Sequence, residues 1–272
     1  MMTVITEWTR RHRLPAFFVL TFAISWWAWP FYAMDLAPTP FFPCGPLVAA
    51  LVVIGVTDGR GGYRALGARI IRWRVGWKWW AVAIGLPLAV LAIASLANVT
   101  IWGAPAPVLA NIGFAAIAMN FAVRFIDPLD GPMGEEPGWR GFALPHLQSS
   151  RSPLASSVLL GGVVALWHLP LVAVGQLASI GVVVTFAITL VYSWLFNHTG
   201  GSVLLTMVFH VAQGAISSTA LGFTGEDASR MDWITGTLWC LIAAGLLLAD
   251  HKAWRSAPAA AVADQRPGLV EA

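Results

Sequence analysis

The sequence predicts an all-α, polytopic membrane protein of about eight transmembrane helices, and three observations carry that reading. Only 11% of the 272 residues are charged while 58% are hydrophobic, against about 25% charged in an average soluble domain. The apolar residues, at a mean hydropathy of +0.72, gather into runs long enough to cross a hydrocarbon core of ~30 Å at ~1.5 Å per residue. The basic residues fall almost entirely in alternate connections. A water-soluble globular domain is excluded, because so few charges cannot cover a water-facing surface. The net charge of +3 has no basic face on which to hold nucleic acid. The lipid bilayer is the expected surrounding, and no nucleic-acid partner is expected.

Spans are expected at about 15–34, 42–56 (short), 79–101, 106–125, 153–175, 178–197, 200–221 and 232–249. The first follows Arg10, Arg11 and Arg13 as a signal peptide would. Its length, its Trp26, Trp27 and Trp29, and the lack of a small-residue cleavage site make it a retained anchor. Eight spans put both termini on one side. The same side then receives Arg60, Arg64, Arg69, Arg72, Arg74 and Lys78 in the second connection, and Arg124, Arg140 and Arg151 in the fourth. Lys252, Arg255 and Arg266 follow the last span, so fifteen of sixteen basic residues share one face. Arg230 alone lies opposite, beside Glu226, Asp227 and Asp232. The positive-inside rule makes the basic face cytoplasmic, so both termini are expected inside; the expected location is the plasma (inner) membrane of a bacterium.

Trp79, Trp80, Trp102, Trp233 and Trp254 stand near span ends, as interfacial anchors do. Residues 57–78 mix basic and apolar side chains and are expected to lie along the cytoplasmic membrane surface. The organisation is a single transmembrane domain, 1–255, followed by a small, polar, Pro-containing tail, 256–272, expected to be disordered. Cys44 and Cys240 both lie in apolar stretches and form neither a disulfide framework nor a CxxC site.

Ionisable groups concentrate between about 124 and 214, and at membrane depth such groups are costly and usually functional. The first cluster is Gly134-Glu135-Glu136-Pro137-Gly138-Trp139-Arg140-Gly141. Pro137 suits a first helical turn, which puts both carboxylates at a helix N-terminus where the macrodipole favours them. Glu136 and Arg140 are four apart and pair on one face; Glu135, turned by about 100°, points elsewhere and is free for other work. The plainer alternative is a loop-to-helix junction with solvated charges. The second cluster is Ala165-Leu166-Trp167-His168-Leu169-Pro170, with His168 deep in an apolar span and Pro170 kinking the helix just beyond it. A buried, hydrogen-bonded histidine without further role is the alternative there. The third runs from Thr199-Gly200-Gly201-Ser202 to His210, with Gln213 and Gly214 one turn on. Thr206, four residues before His210, shares its face and is expected to orient the imidazole; helix packing through small residues is the alternative. Of six histidines, only His168 and His210 occupy span centres.

A carboxylate and two histidines on three membrane helices can activate water by general-base catalysis and stabilise an oxyanion. They can equally hold a divalent metal such as zinc with a position open for water. Either arrangement serves hydrolysis of an acyl bond.

GEEPGWRGFALPHL, ALWHLPL and HTGGSVLLTMVFH, in this order and spacing, resemble the CPBP family of intramembrane proteases. That family includes type II CAAX prenyl endopeptidases and bacteriocin-processing and immunity-associated proteins. The resemblance covers roughly 127–214. It implies a bundle of about eight spans around an intramembrane cavity open toward the cytoplasm. It also implies that Glu135 activates water, that Glu136 and Arg140 orient or support, and that His168 assists the base. His210 and the residue four beyond it fall on the oxyanion or substrate side. Two positions depart from the family pattern: Val164 replaces a Phe, and Gly214 replaces the Asn of the third motif. Gln213 is expected to stand in for that Asn, and Gly214→Asn is expected to raise turnover. The implied activity is an intramembrane endopeptidase acting on a membrane-embedded or lipidated peptide, by Glu/His-activated water, with no cofactor firmly implied. The alternatives are a non-catalytic scaffold or immunity-type protein of the same fold and, third, a transporter, which unrepeated halves disfavour.

Overall fold

Proline and glycine decide where the apolar runs begin and break. The structure, a computed structural model, describes residues 2–107 and 113–256, and every regular element among them is helical. The stretch 108–112 of the expected fourth span and all of the expected tail beyond 256 lie outside the described residues.

α1 (Met2–Arg11) hands over at His12 to α2 (Arg13–Trp26), which with the short α3 (Trp29–Tyr32) forms the first span. α4 (Gly45–Thr57) opens on Gly45-Pro46, and α5 (Gly59–Ile70) turns away after Asp58, on a Gly59 with φ +57°. α6 (Trp77–Trp102) is 26 residues long and stops at Gly103, which adopts the left-handed conformation that favours glycine. After α7 (Phe114–Ile126) come α8 (Pro132–Gly138), a π turn (Trp139–Ala143) and α9 (Leu144–Gln148). α10 (Pro153–Trp167), capped by the Ser152 hydroxyl, breaks at His168 into α11 (Leu169–Ala173). α12 (Ile180–His198), α13 (Val203–Gly214), capped by Ser202, and α14 (Gly225–Ala249) complete the chain.

Four segments, Arg13–Tyr32, Trp77–Trp102, Ile180–His198 and Gly225–Ala249, are long and apolar enough to cross a bilayer. The other four expected spans correspond to shorter apolar helices, Gly45–Thr57, Phe114–Ile126, Pro153–Trp167 and Val203–Gly214. The chain is a polytopic, all-helical integral membrane protein. A helix of 13 residues rises only about 20 Å, less than the hydrocarbon core.

Several boundaries differ from the sequence reading. The seventh span ends at Gly214 rather than near 221, and the last begins at Gly225 rather than 232. Glu226 and Asp227 therefore ride the first turn of α14, where the helix dipole favours them. Arg230 pairs there with Asp227 at 2.7 Å and reaches the Asn98 side chain. Trp254 is no interfacial anchor: it is 3% exposed and donates its indole N–H to the Leu246 carbonyl. Pro137 does not open the helix that bears the carboxylates. Pro132 does, and Pro137 lies inside α8. Lacking an N–H, Pro137 leaves a gap in the helical ladder, and the chain widens into the π turn immediately beyond.

The core is aromatic around the π turn. Trp139, fully buried, makes edge-on contacts with Phe17 and Trp167, their ring centres 5.5 Å away in each case, and Phe41 closes on Trp167 at 4.4 Å. α8 lies directly on α4. A Cβ at Gly134 would strike the Pro128 and Pro43 carbonyls, and one at Gly138 would strike the Pro46 backbone. The two glycines, four apart, let one helix press backbone to backbone on another.

Candidate active site

The sequence-predicted residues converge, and the adjacent glutamates part. Glu136 is wholly buried and turns inward; Glu135, 7% exposed, turns to a cavity of about 220 Å³. Arg140, His168, His210 and Gln213 share that cavity's wall with Glu135. Glu136 alone of the candidates stands behind it.

Glu136 accepts a hydrogen bond from Arg140 Nη1 at 3.0 Å, and the same Oε1 lies 3.0 Å from His210 Nδ1. A carboxylate only accepts, so His210 Nδ1 carries the proton and its Nε2 is left for the cavity. Glu136 thus does the orienting expected of Thr206. The Thr206 hydroxyl instead donates to the Val203 carbonyl. The alternative of solvated charges at a junction fails for this pair, whose side chains are 0% and 2% exposed.

Arg140 is held from further sides. Its guanidinium lies 4.3 Å from the centre of the Tyr192 ring, and Nη2 reaches Thr189 Oγ1 at 3.4 Å. Tyr192 in turn donates its hydroxyl to Gln213 Oε1 at 2.8 Å. With the amide oxygen fixed, the Gln213 NH₂ is the end left to donate. Tyr192 and Thr189 were not singled out in the sequence. A tyrosine inside an apolar span gives no periodic signal, although only three occur in the chain.

His168 sits at the break between α10 and α11, and its Nδ1 lies 2.8 Å from the Val164 carbonyl. A carbonyl only accepts, so Nδ1 carries the hydrogen, and in the neutral ring Nε2 is the open nitrogen. Phe41 and Trp167 brace the ring at 6.0 and 4.8 Å.

Gly131, also missed, lies close to both Glu135 and His210. Its φ of +64° suits glycine. A Cβ there would stand 3.2 Å from Glu135 Oε1 and 3.7 Å from His210 Nε2. Gly214, by contrast, does not line the cavity. A Cβ at this position would meet the Arg124 guanidinium at 2.8 Å. Arg124, 3.5 Å from Asp130, fills the volume an asparagine side chain would need. The expected gain from Gly214→Asn is therefore withdrawn.

No three His, Cys, Asp or Glu side chains among the described residues are grouped so as to hold a metal ion. Glu135, His168 and His210 do line one cavity, with each imidazole held behind it through Nδ1 and Nε2 left open, the posture of a ligating histidine, but as placed the three are not drawn together around one ion.

Residues 117–216 match the family described as Type II CAAX prenyl endopeptidase Rce1-like. The matched stretch, a little over a third of the chain, is similar to that family. The match runs from within α7 to the end of α13, the stretch that supplies every candidate residue above. A curated relative, CAAX prenyl protease 2 of Methanococcus maripaludis, is 31% identical over 130 residues. The aligned part is 43% of this chain and 46% of that relative, so the chain matches less than half of the relative's length.

Proposed function

We propose that this chain is an intramembrane endopeptidase that hydrolyses a peptide bond of a prenylated or otherwise membrane-associated protein. The observation that carries the proposal is the division of labour at the cavity. One carboxylate, Glu135, faces the space with no ion-pair partner among the described residues, while its neighbour Glu136 is consumed in holding Arg140 and His210.

In this reading a water between Glu135 and His210 loses a proton to the Glu135 carboxylate as its oxygen adds to the scissile carbonyl. His168, neutral with Nε2 open, supports that water. The carbonyl oxygen becomes an oxyanion facing the Gln213 NH₂, while the Glu136 carboxylate holds His210 in place beside the water. Collapse breaks the C–N bond, and the proton on Glu135 passes to the leaving nitrogen. Atoms and charge balance without a metal. The family name and the curated relative support a lipidated substrate, and burial of the site among membrane helices suits one.

Cleavage of a farnesylated peptide by the purified chain in detergent tests this. Glu135→Gln and His168→Ala are each expected to lower turnover by ~10²–10⁴ without lowering the thermal midpoint. Cleavage should also survive a strong chelator. Loss that added zinc restores overturns the metal-free step. Unaltered cleavage by both variants overturns the enzyme itself.

A further inference from the structure

A second cavity, of about 510 Å³, lies away from the one described above, between α5, the start of α2 and the π turn. Arg13, Arg64 and Arg69 line it against a single acid, Asp58. Asp58 is committed to Arg13 at 2.8 Å and to the Thr57 hydroxyl at 2.7 Å. Arg69, 7% exposed, donates to the Gly141 carbonyl at 2.8 Å. His146 adds no second acid; burial pushes its pKa down, and Nδ1 is bonded to the Phe142 carbonyl. The floor and walls are apolar or small: Ile54, Leu66 and Phe142, with Gly61 and Ala65 one turn apart on α5.

The mouth is at the membrane boundary. α5 joins the end of one apolar helix to the next, and the segment that follows it exposes Ile71, Trp73 and Trp77 at 70%, 60% and 82%. Exposed indoles of this kind settle at headgroup level. A cationic, partly apolar pocket at that depth has the features of a headgroup site for anionic lipid.

We infer that the cavity between α5 and the π turn binds the phosphate headgroup of an anionic phospholipid, with its glycerol end against Ile54, Leu66 and Phe142. Arg13 and Arg64 supply the charge. Arg69 and Gly141 connect the pocket wall to the turn that carries Arg140. The site is distinct from the peptidase reading, and its test needs no cleavage.

The thermal midpoint of the full chain is measured in neutral detergent with increasing phosphatidylglycerol, with phosphatidylcholine and inorganic phosphate as parallel additions. Phosphatidylglycerol alone should raise the midpoint. Arg64→Gln should move the half-saturating lipid fraction up roughly five-fold, as about 1 kcal/mol per arginine requires. Arg60→Gln, with the same charge change on the same helix but outside the cavity, should not move it. A Cβ at Gly61 meets nothing within 4 Å, so Gly61→Leu should fill the pocket and abolish the response while leaving the lipid-free midpoint intact. Equal shifts for Arg60→Gln and Arg64→Gln, a full response from Gly61→Leu, or equal stabilisation by inorganic phosphate would each overturn the inference.

Discussion

Glu135 and Glu136 carry the same functional group one peptide bond apart, and their surroundings make them different reagents. Breaking a buried pair by removing one partner costs about 3–5 kcal/mol, because it strands the other charge. Arg140→Ala is therefore expected to destabilise the protein by about that amount, measured by denaturant or thermal unfolding in detergent. Glu135→Gln should cost turnover and little stability. Matching stability losses for the two would refute the assignment of separate roles. Gln213 belongs to the same scale. Removing an oxyanion donor typically costs ~10²–10³ in turnover, so Gln213→Ala should fall by that order. Tyr192→Phe, which frees the amide without deleting it, should fall less. Gly214→Asn must displace the Arg124 guanidinium, and is expected to lower the thermal midpoint with no gain in turnover. A faster Gly214→Asn enzyme would show that Arg124 yields and that the position does reach the cavity.

Among the elements, α8 decides whether the site exists. Its seven residues are too few to hold a helix alone. Its backbone contact with α4 through Gly134 and Gly138 does what length cannot. Gly138→Ala forces a methyl into the Pro46 backbone. Overpacking of this kind costs about 1–3 kcal/mol. Here it should also lower turnover, because α8 carries Glu135, the proposed base. Gly162→Ala, where a Cβ meets nothing within 4 Å, is the control expected to leave both untouched. The spacing Gly134…Gly138 was present in the sequence as a small-xxx-small pair. It was read for its carboxylates and not for its glycines, since nothing in a short motif says which helix it will meet.

For the molecule as a whole, charge is the testable feature. The basic side chains on one face lead to a definite topology. A reporter fused after Arg255 should read cytoplasmic, and one inserted near Gly225 should read external. The reverse pattern would invert the cavity and the basic pocket together. The acidic first turn of α14 holds Arg230, the one basic residue that the expected topology puts opposite the others, through Asp227. There it is neutralised, so it adds little to the charge asymmetry that orients the chain.

Composition alone determined that this is a helical membrane protein, because a bilayer accepts few charges and demands internal hydrogen bonding. The positions of prolines and basic residues set most helix ends. Pro170 predicted the break beside His168, and the i,i+4 spacing predicted that Glu136 would meet Arg140. These are local consequences of helical geometry. What crosses between helices was decided only in three dimensions. That Glu136 rather than Thr206 holds His210, that Tyr192 fixes Gln213, and that Arg124 occupies the space over Gly214 all join residues 21 to 90 positions apart. Helical periodicity records which face a side chain is on. It does not record which other face will arrive opposite, and that depends on how the whole bundle closes around its shortest helices.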